Sequence, residues 1–114
     1  MPDKILIWMG ASFEDLRDFP VDTRRAAGFE LRRVQHGLMP TDWRPMPSVG
    51  PGVTEIRIHT HVEHRVMYVA KFEEAIYVLH AFEKRSRQTR EADLALARER
   101  LKQVEALRRE EKEK

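Results

Sequence analysis

Lys84, Arg85, Arg87 and Arg90 follow the apolar run YVLHAF (77–82), with no acid between Glu83 and Glu91. A strand that only fills a core has little reason to end in four cations, so the segment reads as an anion-binding edge or as an ordinary solvated end. Arg57 and Arg65 lie further upstream, and the guanidinium fork suits phosphate oxygens through parallel N–H donors. His80 lies inside the run, where it reads as a hydrogen-bonded core histidine or, should it titrate near neutrality, as an acid–base group. HTHVEH (59–64) gathers His59, His61 and His64, and imidazoles ligate zinc. No recognised ligand spacing is matched, and His64 lies across a turn, so no metal site is assigned.

The elements that must hold these groups are readable from periodicity. KILIWM (4–9) reads as a strand that Gly10 ends, and Ser12 with Asp15 reads as the capping start of a short helix that stops at Pro20. Residues 21–36 form a second helix with Ala27, Leu31 and Val34 on one face, closed by Gly37. Residues 38–52 hold four of the six prolines, which predicts a loop with one brief extended piece around Trp43–Met46. VTEIRIHT (53–60) then alternates strictly: Ile56 and Ile58 fall on a buried face, and Glu55, Arg57 and His59 on a wet one. HRVMYVAKF (64–72) and AIYVLHAF (75–82) are apolar on both faces, which predicts central antiparallel strands joined by a two-residue hairpin at Glu73 and Glu74. Thr89 is placed to cap a last helix with Leu94, Ala97, Leu101 and Val104 inward, and RREEKEK beyond Leu107 is expected to fray. The predicted fold is α+β: an antiparallel sheet with two N-terminal helices packed on one face and a C-terminal helix, the helices lying on one side.

Size and composition narrow the field. The 114 residues suit one domain, 1–108, with a charged tail at 109–114. A net charge of +2 leaves any attraction for an anionic partner to local clustering. The chain has no cysteine, which excludes disulfides and thiolate metal sites, and no apolar stretch approaches the roughly 20 residues that span a bilayer. The start has neither the length nor the cleavage site of a signal peptide, so a cytoplasmic protein without a membrane partner is expected.

From Trp8 to about Leu101 the chain resembles the HigB-like, phage-derived branch of the RelE/ParE toxin superfamily. The likeness is carried by FPVDTRRAAGFELRRVQHG, the proline-containing loop, TEIRIHTHVEHRVMYVAKF, and IYVLHAFEKRSRQT followed by EADLALARERL. It implies a RelE-like fold and a toxin of a type II toxin–antitoxin operon. Many relatives cut mRNA in the ribosomal A site, and another branch poisons DNA gyrase.

Metal-free RNA cleavage needs a base for the 2′-hydroxyl proton, cations for the phosphate oxygens and an acid for the departing 5′ oxygen. No cofactor is implied. By the resemblance, Lys84 matches a functional position and is the general base or phosphate clamp, with Arg85 as a phosphate ligand beside it. Arg65 resembles the arginine that relatives set against the scissile phosphate; its alternative is a salt bridge to Glu55 or Glu63. Arg57 and His59 share the groove or an ordinary exposed face. Arg87 and Arg90 contact RNA backbone or keep the helix entrance soluble, and Phe82 stacks on a base or belongs to the core. RelE relatives use a tyrosine near the last helix as acid, whereas this chain has only Tyr68 and Tyr77, both upstream, so the acid is unassigned.

Three readings follow: a ribosome-dependent endoribonuclease, a gyrase-inhibiting toxin without catalysis of its own, and an inactive phage-derived interaction protein. Cations converging on one sheet face favour the first; Lys84 and Arg65 tied into salt bridges favour the others. The toxin reading implies mRNA and the ribosome as partners, together with a cognate antitoxin, a small helix-turn-helix DNA-binding protein of the HigA-like kind.

Overall fold

A computed structural model describes residues 3–113. In chain order it contains β1 (Ile5–Trp8), α1 (Ser12–Arg17), α2 (Val21–Gln35), β2 (Trp43–Pro45), β3 (Val53–His59), β4 (Glu63–Val69), β5 (Ala75–Glu83) and α3 (Glu91–Glu113). The five strands form one sheet in the order β1-β5-β4-β3-β2. This is the α+β arrangement expected of a RelE-like fold, with one difference: β1 runs parallel to β5, so the sheet is mixed. Parallel pairing follows from the long crossover through α1, α2 and three strands that separates the two.

β4 and β5 are buried on both faces because helices cover both. Leu16 and Phe19 from the α1 segment, with Ala27, Leu31 and Val34 of α2, pack on Ile56, Ile58, Val66, Tyr68 and Val78. On the opposite face Ala97, Leu101 and Val104 of α3 pack on Val53, Met67, Val69, Tyr77 and Leu79. The expectation of helices on a single side is therefore corrected: the doubly apolar strands need two covers, and α3 supplies the second.

One irregularity decides which side chains share the α3 face. Met67 pairs with His80 while its neighbour Tyr68 pairs with Val78, leaving Leu79 as an extra residue in β5. Leu79 packs under α3, and His80 bonds to Asp93 of α3, so two consecutive residues turn toward the same helix. From there on, even-numbered positions of β5 face α3.

Several local expectations are revised. Ser12 is not a cap: it is the first residue of α1, Ala11 precedes it without a capping bond, and the Ser12 hydroxyl donates to the Val78 carbonyl at 3.2 Å. Burial explains this, because a hydroxyl inside the α1–β5 contact needs a partner there. The β4–β5 connection spans residues 70–74 rather than two residues. Phe72 leaves the ladder there to lie edge-on to Tyr77 at 6.0 Å and beneath the Arg108 guanidinium at 3.9 Å. That contact ties the last turns of α3 to the β4–β5 connection. Arg108 bonds Glu74 at 2.8 Å, holding the Glu74 carboxyl down to about 2, and the helix continues to Glu113.

Gly28 stands in the middle of α2, and a Cβ built there meets nothing within 4 Å. Glycine inside a helix costs about 0.8–1.0 kcal/mol relative to alanine. Gly28→Ala is expected to raise stability by roughly that amount, read as a higher urea midpoint with an unchanged slope.

Candidate functional site

Strand register assembles a three-by-three grid on the α3 face, beyond the N-terminal end of that helix. Pairing of Glu55 with Met67 and of Met67 with His80 makes the first row, and Arg57 with Arg65 and Arg65 with Phe82 the second. His59 pairs with Glu63, and the Lys84 amide donates to the Glu63 carbonyl at 2.8 Å, which extends the ladder into a third row. Arg44 of β2 lies opposite Glu55 at the side of the grid. Without the extra residue at Leu79, Lys84 would face the other way.

Arg65 is the centre of the grid, and at the corner beside it lies Glu55, 2% exposed and not on a wet face as its alternation predicts. Its carboxyl is pushed up first by burial; Arg65, then Arg44, Lys84 and Arg57 pull it down. Four cations thus surround one buried carboxylate. Arg65 is itself 2% exposed, with Nε 3.6 Å from Glu55 and Nη1 2.9 Å from Glu63. The structure places it in the salt-bridge geometry to both carboxylates, buried rather than at the surface. Three buried atoms here make no hydrogen bond to any described protein group: Glu55 Oε2, Arg57 Nε and Arg65 Nε. Two of them are N–H donors, the kind that phosphate oxygens accept from.

Lys84 is half-buried, and its ammonium makes no hydrogen bond or ion pair among the described residues. Burial lowers its proton affinity first, and the neighbouring Arg65, Arg57 and Arg44 lower it further against the pull of Glu55. An ammonium held below the ordinary lysine value gives up its proton more readily than a free one. His59, at the exposed corner, behaves in the opposite way: hydrogen bonds to Asp42, then Glu63, raise its affinity for a proton.

The remaining predicted residues fall outside this grouping or beneath it. Arg85 is exposed and bonded to Glu83 at 3.1 Å, Arg87 is exposed, and Arg90 lies 3.6 Å from Asp93; all three belong to the connection 84–90 or its end. Phe82 is 8% exposed and stacked on His80 at 4.7 Å as part of the core. His59 and His64 face opposite sides of the sheet, His64 packing on Phe19 at 4.4 Å.

His80 is 5% exposed, with Nε2 2.8 Å from Asp93 and Nδ1 3.5 Å from Arg100, whose guanidinium also donates to the Leu79 carbonyl. Both ring nitrogens are thus engaged in tying α3 to β5, a structural task. Burial lowers its proton affinity despite Asp93. The unfolded chain therefore binds this proton more readily, so the histidine's contribution is full above its ordinary value of 6.5 and is lost as pH falls through and below it. Wild type is expected to lose more stability than His80→Gln between neutral pH and pH ~5, read by urea unfolding at each pH.

Neither tyrosine reaches the grid. Tyr68 is buried on the α2 side with its hydroxyl pushed up to about 12, and Tyr77 bonds Glu74 at the opposite end of the α3 face. Sequence reasoning missed Arg44 as a member of the cluster and took Glu55 for a surface residue. The available signal was that Glu55 shares its side of the strand with Val53, an apolar residue on a supposedly wet face.

No curated protein matches the chain. The family model for phage-derived protein Gp49-like (DUF891) matches residues 14–102, which include α2, the whole grid and about half of α3. The chain therefore belongs to the Gp49-like phage-derived protein family, a toxin-like family of type II toxin–antitoxin systems.

Proposed function

We propose that this protein is a HigB-like toxin that acts as a ribosome-dependent endoribonuclease, cleaving mRNA through the 2′-hydroxyl without a metal. The observation that carries the reading is the convergence of Arg57 of β3, Arg65 of β4 and Lys84 just past β5 around buried donors that hydrogen-bond to no described protein group. Strands hold such groups rigidly, as electrostatic stabilisation of a phosphorane-like transition state requires.

Within it, Lys84 takes the 2′-hydroxyl proton, helped by the cations that discourage its own protonation. Arg57 holds a non-bridging phosphate oxygen, and Arg65, anchored by Glu55 and Glu63, sets the positive potential beneath it. Hydrogen bonds to Asp42 and Glu63 raise the affinity of His59 for a proton, and it is the group placed to release one to the 5′ oxygen, exchanging a carboxylate for the leaving group. A chain this small offers little surface for gripping RNA alone, which is why the ribosome is assigned the task of holding the message. The proposed partners are accordingly mRNA, the ribosome and a helix-turn-helix antitoxin, in the cytoplasm; among the described residues no helix is long and apolar enough to cross a membrane.

The pairing of Arg65 with two carboxylates supports a second reading, a gyrase-binding toxin without catalysis. Induction of the wild-type chain in a host lacking the antitoxin, with mRNA ends mapped, separates them. New ends together with growth arrest are expected; arrest without new ends selects the gyrase reading, and no arrest selects an inactive remnant.

A further inference from the structure

A second feature lies on the other side of the sheet. Leu6 and Trp8 of β1, Phe13 of α1 and Leu31 of α2 wall a groove at the sheet's margin, where β1 is paired on one edge only. Trp8 and Phe13 stand edge to face at 5.1 Å, which fixes one wall, and Phe13 remains 43% exposed. Gly28 opens toward the same groove, and nothing inside the protein needs the space it leaves. A helix carries an unfavourable residue here without an internal packing reason, which fits close approach by something outside the chain.

Arg17, Arg24 and Arg32 rim the groove, and no carboxylate lines it among the described residues. Arg17 lies over the Phe13 ring at 5.6 Å and Arg24 donates to the Arg17 carbonyl at 3.2 Å, so two of the three have no acidic partner. Arg32 is met by Asp3 at 2.9 Å. Apolar walls with a cationic rim are complementary to an amphipathic helix whose polar side is acidic, docked by its apolar stripe.

We propose that this groove binds an acidic amphipathic helix of the antitoxin, a helix that presents a small residue to Gly28 and carboxylates to Arg17 and Arg24. The occupant rests on the toxin–antitoxin reading above. The groove lies across the sheet from Lys84, so neutralisation acts by blocking access to the ribosome rather than by covering the cationic hollow.

The test titrates the full chain with the protein encoded by the adjacent gene, by calorimetry, alongside Gly28→Phe and the double variant Arg17→Glu/Arg24→Glu. Each variant is expected to bind at least about tenfold more weakly than wild type, with single-stranded RNA binding unchanged. Should Gly28→Phe fail to fold, the charge reversals on two exposed side chains carry the test alone. Affinity that ignores the variants overturns the groove assignment and leaves the toxin reading standing. Weakened RNA binding with an intact protein complex makes the groove a nucleic-acid surface, and loss of a wild-type self-association makes it a contact between copies; either overturns the proposal. Absence of any wild-type complex overturns the toxin–antitoxin reading along with it.

Discussion

Under the proposed endoribonuclease function, Lys84→Ala is expected to lower the rate of mRNA cleavage by about 10²–10⁴-fold, the range for removal of a general base or a transition-state cation. The loss is chemical and not structural. Lys84 is half-buried and its ammonium binds no acceptor among the described residues, so its truncation changes stability by no more than roughly 0.5 kcal/mol. Lys84→Arg separates the two roles, because an arginine keeps the positive charge but does not give up a proton in a protein. Retention of most activity by the arginine variant identifies a clamp; loss equal to that of alanine identifies a base. The base role also requires the wild-type rate to rise with pH through the neutral range, as the deprotonated fraction of a lysine held below its ordinary value grows. Primer extension across a ribosome-bound message measures all three. Unaltered cleavage by Lys84→Ala removes this residue from the site.

Glu55→Ala destabilises the fold by about 3 kcal/mol, at the low end of the 3–5 kcal/mol typical of breaking a buried ion pair. Arg65 would be left buried with one partner, Glu63, whose side chain is 41% exposed and holds it only from the margin. The size of this loss does not mean that the pair stabilises the protein. Burial outweighs four cations in setting the Glu55 carboxyl, so desolvation dominates the local balance. The sign follows: the folded state binds the Glu55 proton more readily than the unfolded chain, so this group's stability contribution is lost as pH rises above its ordinary value of 4.5. Glu55→Leu with Arg65→Met should therefore recover most or all of the loss, leaving a stable but inactive protein. Urea unfolding of the two single variants and the double one gives the coupling directly. A double variant as unstable as the sum of the singles would mean that the two residues are not coupled, and one as unstable as either single would mean that the pair is a net stabiliser.

Much of the architecture was legible because burial leaves a period. The alternation of VTEIRIHT placed Ile56 and Ile58 under α2, and the spacing of Ala97, Leu101 and Val104 placed α3 on the sheet. The doubly apolar strands marked the centre of the sheet but concealed two things. A strand apolar on both faces carries no alternation, so the extra residue at Leu79, and with it the facing of Lys84, left no trace in the pattern. Apolarity on both faces also calls for two covers without saying which helix supplies which. Glu55 was misplaced for a related reason: alternation assigns a side chain to a face, while whether that face is wet depends on strands and cations distant in sequence. Phe82 and His80 sat where composition allowed function or core, and their burial, with Phe82 stacked on His80 and His80 bonded to Asp93 of α3, shows only in three dimensions.

The parallel pairing of β1 with β5 has a consequence for how the chain is made. Ile5 meets Ala75, which is synthesised 70 residues later. At about 5–20 residues per second, some 4–14 s of translation separate the two halves of that contact. The opening strand must wait at the mouth of the exit tunnel as an unpaired apolar segment while everything between is polymerised. Closure of the nascent sheet is thus clocked by elongation, and a message translated more slowly through codons 10–75 would lengthen that vulnerable interval without altering one residue of the product.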